Sequence, residues 1–251
     1  MAKQKGILPI QGTIGNITFF KSADGYLVRE KGGVSAKRIA SDPAFQRTRE
    51  NGYEFGRAGS SGKQIRTAFR HVLQHTSDSK MVSRLTRDLM RIIKTDSTSP
   101  RGQRTLTEGD LYLLEGFEFN AQSQLSSTLY APYTATVDRT TDQAAVEIPD
   151  FIPASMLAIP EGATHFRIST AMAVIDFEQN QFVNDFKQTA YLALDAAGSG
   201  TITHAYTLPA GTGLPVFLSL GIEFFQQVNG VYYVLRNGAY NAMALVKIDQ
   251  A

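Results

Sequence analysis

PVFLSLGIEFFQQVNGVYYVLRNGAYNAMALVKI, residues 215–248, decides the fold class. Three runs rich in β-branched and aromatic residues, 215–225, 231–236 and 241–248, are separated by Asn229-Gly230 and then Asn237-Gly238. Both dipeptides accept the positive φ angles of a two-residue hairpin loop. The pattern predicts three consecutive antiparallel strands. Further runs at 111–119, 129–137, 144–149, 164–175, 188–194 and 201–207 follow the same habit, with no helical period between them. Strands at this spacing predict an antiparallel β-sandwich of about 140 residues.

Before residue 105 the pattern differs. GNITFFKSADGYLVRE reads as a hairpin with Asp24-Gly25 at its bend and Ile17, Phe19 and Leu27 alternating with polar neighbours. Gly12 and Gly15 make the approach extended, a form suited to adding a strand to a neighbouring sheet. Ser41-Asp42-Pro43 is a helix start: a capping side chain, then proline where its missing N–H is harmless. One helix is predicted from Pro43 to about His75, TSDS at 76–79 breaks it, and a second runs from about Lys80 to Lys94. TDSTSPRGQRT, 95–105, reads as a linker. The expectation is an α+β chain: an N-terminal β-hairpin and two-helix region, 1–104, followed by a β-sandwich, 105–251.

Charge divides at the same place. Residues 1–104 hold 20 Lys/Arg against 8 Asp/Glu, and residues 105–251 hold 5 against 15, so the net +2 conceals +12 and −10. On the second helix Val82, Leu85, Leu89, Ile92 and Ile93 fall on one side at helical spacing, with Lys80, Arg84, Arg87, Arg91 and Lys94 opposite. On the first, Ile65, Phe69, Val72 and Leu73 oppose Lys63, Arg66 and Arg70. Three uses fit this basic face: solvation, phosphate contacts to nucleic acid, or an acidic surface such as that of 105–251. If that surface belongs to another copy, the contact is head-to-tail and yields rings or open filaments.

ENGYEFGRAGSSGKQIRTAFR, 50–70, sets Gly52, Gly56, Gly59 and Gly62 ahead of Lys63. It is not a phosphate-binding loop. Aligning Gly62-Lys63 on that motif puts Arg57 where its first glycine belongs and Gln64 where its hydroxyl belongs, and no buried strand precedes it. The glycines are structural, serving either close helix packing or a break around 59–62. His71 and His75 are one turn apart, but Val72 replaces the glutamate of a zinc-hydrolase helix and no third ligand is evident, so no metal is assigned. Glu108, Asp110, Glu115 and Glu118, and Asp176, Glu178 and Asp185, are the carboxylates that could pair across a glycosidase cleft. Tryptophan and cysteine are absent, which removes a common sugar platform and any thiolate chemistry. No cofactor is implied. No run of 18 apolar residues predicts a membrane span. MAKQKGILPIQGT lacks a leader-like apolar core, so the expected location is the cytoplasm or release by a signal-independent route.

GTIGNITFFKSADGYLVREKGG with DPAFQRTREN resembles the opening of a widespread group of uncharacterised proteins from Bacteroidota. The shared elements are Gly12, Gly15, Phe19, Lys21, Gly25, Arg29 and the RTREN helix entry. The resemblance is most specific over 10–70 and implies no catalytic residues. The expectation is a non-enzymatic structural protein that assembles into homo-oligomers, with a filament or tube as the head-to-tail form. Nucleic-acid association through Lys63, Arg66, Arg70, Arg84, Arg87 and Arg91 is the second reading, and a carbohydrate-binding or adhesive β-sandwich the third.

Overall fold

The computed structural model of the chain describes residues 2–6, 9–30, 32–76 and 78–250. By packing, the chain divides into Met1–Glu50 and Asn51–Ala251. The expected boundary at 104/105 is therefore one of charge and not of packing, because the helices after residue 50 share a core with the strands.

In the first unit, β1 (Ala2–Lys3), β2 (Gly12–Ile14), β3 (Ile17–Ser22) and β4 (Gly25–Glu30) form an antiparallel sheet in the order β1-β4-β3-β2. β2 pairs with its own β3, Ile14 opposite Ile17. The bend is Ala23-Asp24, since Ser22 pairs with Gly25, and it is Gly25 that takes φ +104. Phe20 pairs with Leu27 and Phe19 with Val28, so Leu27 lies on the face opposite Ile17 and Phe19. A short helix, α1 (Ala36–Ser41), which the sequence reading omits, follows and buries nothing. Asp42 then caps the 3-10 turn Pro43–Phe45, its Oδ1 accepting from Ala44 N–H at 2.9 Å. This turn leads into α2 (Gln46–Ala68).

The second unit is α+β. α3 (Arg70–Leu73) and α4 (Met81–Thr95) follow α2, and Ser77 of the expected break lies outside the described residues. Short helices α5 (Leu125–Thr128) and α6 (Pro153–Met156) flank β5 (Thr134–Asp138) and β6 (Gln143–Ile148). Then come β7 (His165–Asp176), β8 (Gln181–Gln188), β9 (Leu192–Ala193), β10 (Ile202–Thr207), β11 (Val216–Val228), β12 (Val231–Val234) and β13 (Ala242–Asp249). A three-stranded sheet runs β10-β6-β5. A six-stranded sheet runs β12-β11-β7-β8, with β13 also on β11 and β9 also on β7.

The large sheet is covered on both faces. Phe166, Ile168, Met172 and Val174 of β7, with Val216, Leu218, Leu220, Ile222 and Phe224 of β11, pack against Val146, Ile148, Ile202 and Tyr206 of the small sheet. The alternate residues Ala171, Ala173, Ile175 and Phe217 pack against Ile65, Phe69, Leu85, Leu89 and Ile92 of the helical side. Period-two alternation in one strand thus feeds two cores.

Several expected strands change. Leu111–Leu114 is a 3-10 turn capped by Asp110, and after the turn at Gly116 only Glu118 forms a bridge, to Ala244 of β13. Asn229-Gly230 is a two-residue hairpin loop with φ 51 and 80, as expected. Asn237-Gly238 is not: it lies in the 3-10 turn Leu235–Gly238, because β12 and β13 both pair with β11 and not with each other.

Helix α2 is unbroken through all four glycines. A Cβ on Gly52, Gly56 or Gly59 would meet open space, whereas one on Gly62 would sit 3.2 Å from Leu89 Cδ1. Close packing belongs to Gly62 alone. Gly56→Ala should therefore stabilise the chain by about 0.5–1 kcal/mol, glycine's helix penalty being relieved with no clash. Gly238→Ala should cost more than about 2 kcal/mol, since φ is +81 and the new Cβ would lie 2.1 Å from His75 O. Urea unfolding followed by circular dichroism checks both signs.

Candidate interaction surfaces

The eight cations assigned to one basic face do not share it. Lys63, Arg70, Lys80, Arg87, Arg91 and Lys94 are exposed. Arg84 turns inward: its guanidinium donates to Glu118 O at 2.7 Å and Phe119 O at 3.3 Å, pairs with Asp78 at 2.6 Å, and lies over the Phe117 ring. It ties α4 to the 116–119 segment. Arg66 is half-buried beside Gly62, and burial lowers its pKa. Arg87 and Arg91 share Asp88, at 3.0 and 3.1 Å, which dilutes the positive field.

The remaining α4 cations border a groove of about 720 Å³, where Arg87, Arg91 and Lys94 surround Val82, Met90 and Phe55. Phe55 is 61% exposed and Val82 47%. The aromatic of this groove, Phe55, comes from α2 and not from the helix that carries the cations. Its one sequence signal is a lone phenylalanine on the polar stretch YEFGR. Val82, expected on the buried side, is exposed here.

Several of the candidate metal and acid residues make structural contacts. α3 ends at Leu73, so His71 and His75 do not sit on one helix; His71 stacks on Phe186, and His75 O accepts from Asn241 at 2.7 Å. Among the described residues no group of three or more His, Cys, Asp or Glu side chains could hold a metal. Asp110 and Asp176 accept from backbone N–H groups of their own turns. Glu115 accepts from Ile248 N–H, and half-buried Glu118, its pKa raised by burial, accepts from Leu125 N–H.

Two buried polar clusters escape the sequence reading, since their partners lie far apart in the chain. Between the sheets, Thr170 Oγ1 bonds His204 Nδ1 at 2.7 Å and the Tyr206 hydroxyl, while Lys187 donates to Ala205 O and lies over the Tyr206 ring. On the other face Arg167 pairs with Glu223 at 2.8 Å beneath Tyr191 and Phe225. Their signal is rarity: Arg167 and Glu223 are isolated charges in apolar strands, and Lys187 is one of five cations after residue 104.

The N-terminal sheet presents two unlike faces. Pairing puts Ala2, Ile14, Ile17, Phe19, Tyr26 and Val28 on one, with Lys21 beside Tyr26 and Glu30 beside Ile17. Ile14 is 65% exposed and Ile17 44%. The other carries Thr13, Thr18, Phe20, Leu27 and Arg29, the arginine lying over Phe20. No known protein family, curated protein or solved structure matches this chain.

Arg84→Gln should destabilise the protein by about 2 kcal/mol, stranding two carbonyls and a partly buried carboxylate, while Arg87→Gln and Arg91→Gln leave the urea midpoint unchanged. His204 gives a pH signature. Burial, with Lys187 nearby, lowers its pKa. The unfolded chain takes up a proton near pH 6.5 that the folded chain resists, so stability from neutral His204 is full above that pH and declines below it. The urea midpoint should fall between about pH 7.5 and 5.5, and His204→Gln should flatten that fall.

Proposed function

We propose that this chain is a structural protein that works by binding copies of itself, without catalysis. One observation carries the reading. Among the described residues of 1–50, Leu27 alone is buried, although the segment forms a four-stranded sheet. The apolar face of a sheet is satisfied by burial against another element, and ordering each residue costs roughly 1–2 kcal/mol. A second copy supplies the missing layer.

Charge plays a smaller part than the 1–104/105–251 comparison suggests. Most of the opposite charge lies within Asn51–Ala251, which holds 16 Lys/Arg and 19 Asp/Glu, against 9 and 4 in the first fifty residues. The +12 and −10 shrink to +5 and −3 when counted by unit. A filament or tube needs a further, head-to-tail contact, and this residual difference is what would draw it together. Nucleic-acid association is the second reading, favoured by Phe55 within the Arg87, Arg91 and Lys94 groove.

Light scattering behind size-exclusion chromatography of nuclease-treated protein, with negative-stain imaging, tests both. The expected result is a mass above the monomer that rises with concentration and survives high salt, because the contact is mainly apolar. A monomer at every concentration and salt overturns the reading. Assembly only with added nucleic acid transfers the function to the groove.

A further inference from the structure

Resting on that reading, we infer that the self-association surface is the apolar face of the N-terminal sheet, stacked on the same face of a second copy about a two-fold axis perpendicular to the strands. The face is built from β2, β3 and β4. Ile14 lies opposite Ile17, Phe19 opposite Val28, and Lys21 opposite Tyr26. Its centre is apolar and its two charges stand at opposite ends: Lys21 next to the β3–β4 turn, and Glu30 at the open end beside Ile17. Both lie on the two central strands of the sheet.

That placement selects the symmetry. Two sheets stacked through one shared face are related by an axis in the plane between them. If the axis ran along the strands, like ends would coincide, and Lys21 would meet Lys21 while Glu30 met Glu30. An axis across the strands reverses one sheet, so that each Lys21 faces the partner's end bearing Glu30, twice per dimer. Charge complementarity thus points to one occupant, the copy itself, in one orientation. An acidic peptide would leave Glu30 opposed, and a basic one Lys21.

The size of the face sets the strength. From strand spacing and rise it measures about 15 by 20 Å, less than half of a standard interface per partner. The contact is therefore weak and concentration-dependent.

Lys21→Glu should raise the dimer dissociation constant roughly tenfold at low salt, like charges then facing each other at both ends. Adding Glu30→Lys to it should restore the wild-type value within about threefold. The cysteine-free background allows a second, independent test in the full chain. Lys21→Cys protein mixed with Glu30→Cys protein should cross-link through a bismaleimide spanning about 10 Å, the separation of stacked sheets, and neither protein alone should. Cross-linking of Lys21→Cys with itself, or self-association indifferent to both charge changes, overturns this face while leaving self-association standing. A monomeric wild type removes both together.

Discussion

Strand β11 cannot slip by one residue against β7 without emptying two cores at once. Its even-numbered residues from Val216 to Phe224 belong to the core under the small sheet, and Phe217 belongs to the core under the helices. A one-residue shift exchanges the faces of a strand. On β13 that exchange is used once. Leu218 pairs with Lys247 but Ser219 with Leu245, which leaves Val246 as the extra residue of a bulge. Met243 and Leu245 face the helices before it and Ile248 faces them after it, a spacing of three where strict alternation would give two or four. The bulge lets a strand with valine at 246 and isoleucine at 248 serve two layers.

Polar groups specify the same register. Arg167 and Glu223 stand directly opposite on β7 and β11, nearly buried, with side-chain exposures of 11% and 4%. A slip would separate them and carry a carboxylate towards an apolar core, at a penalty of several kcal/mol. The pair adds little net stability in its own register, since desolvation offsets attraction, but it penalises the neighbouring ones. Thr170, His204 and Tyr206 do the corresponding work between the two sheets.

How much of this was readable from sequence depends on burial. β7 and β11 are buried on both faces and announce themselves as apolar runs. β8 is an edge strand, largely exposed, and its Asn184, Asp185 and Lys187 made QFVNDFKQ look like a polar carboxylate segment. Leu111–Leu114 failed in the opposite way: a continuous apolar run has no period of its own, and the Asp110 cap with Gly116 at φ +81 turned it into a 3-10 turn followed by a single bridge. Arg84 was misassigned to the solvent side because helical spacing gives direction but not reach; a long side chain near a helix edge can fold back onto a neighbouring segment. The groove containing Phe55 was invisible because its two walls lie about thirty residues apart.

The N-terminal sheet obeys the rules of the large sheet with one part absent. Its strands alternate, and one of its faces is apolar, yet α1 buries no residue and so is no covering layer. The helix that follows, α2, carries its glycines with unequal support. Gly52, Gly56 and Gly59 of α2 have nothing packed where a side chain would be, and each weakens the helix by about 1 kcal/mol. Gly62, where packing compensates, comes only where α2 meets Leu85 and Leu89 of α4. Polar ties hold the stretch before it: Arg57 donates to Gly102 O and Arg104 O, and buried Glu54 accepts from Gly102 N–H. Under the proposed self-association, a second copy on the apolar face would supply the layer that α1 does not.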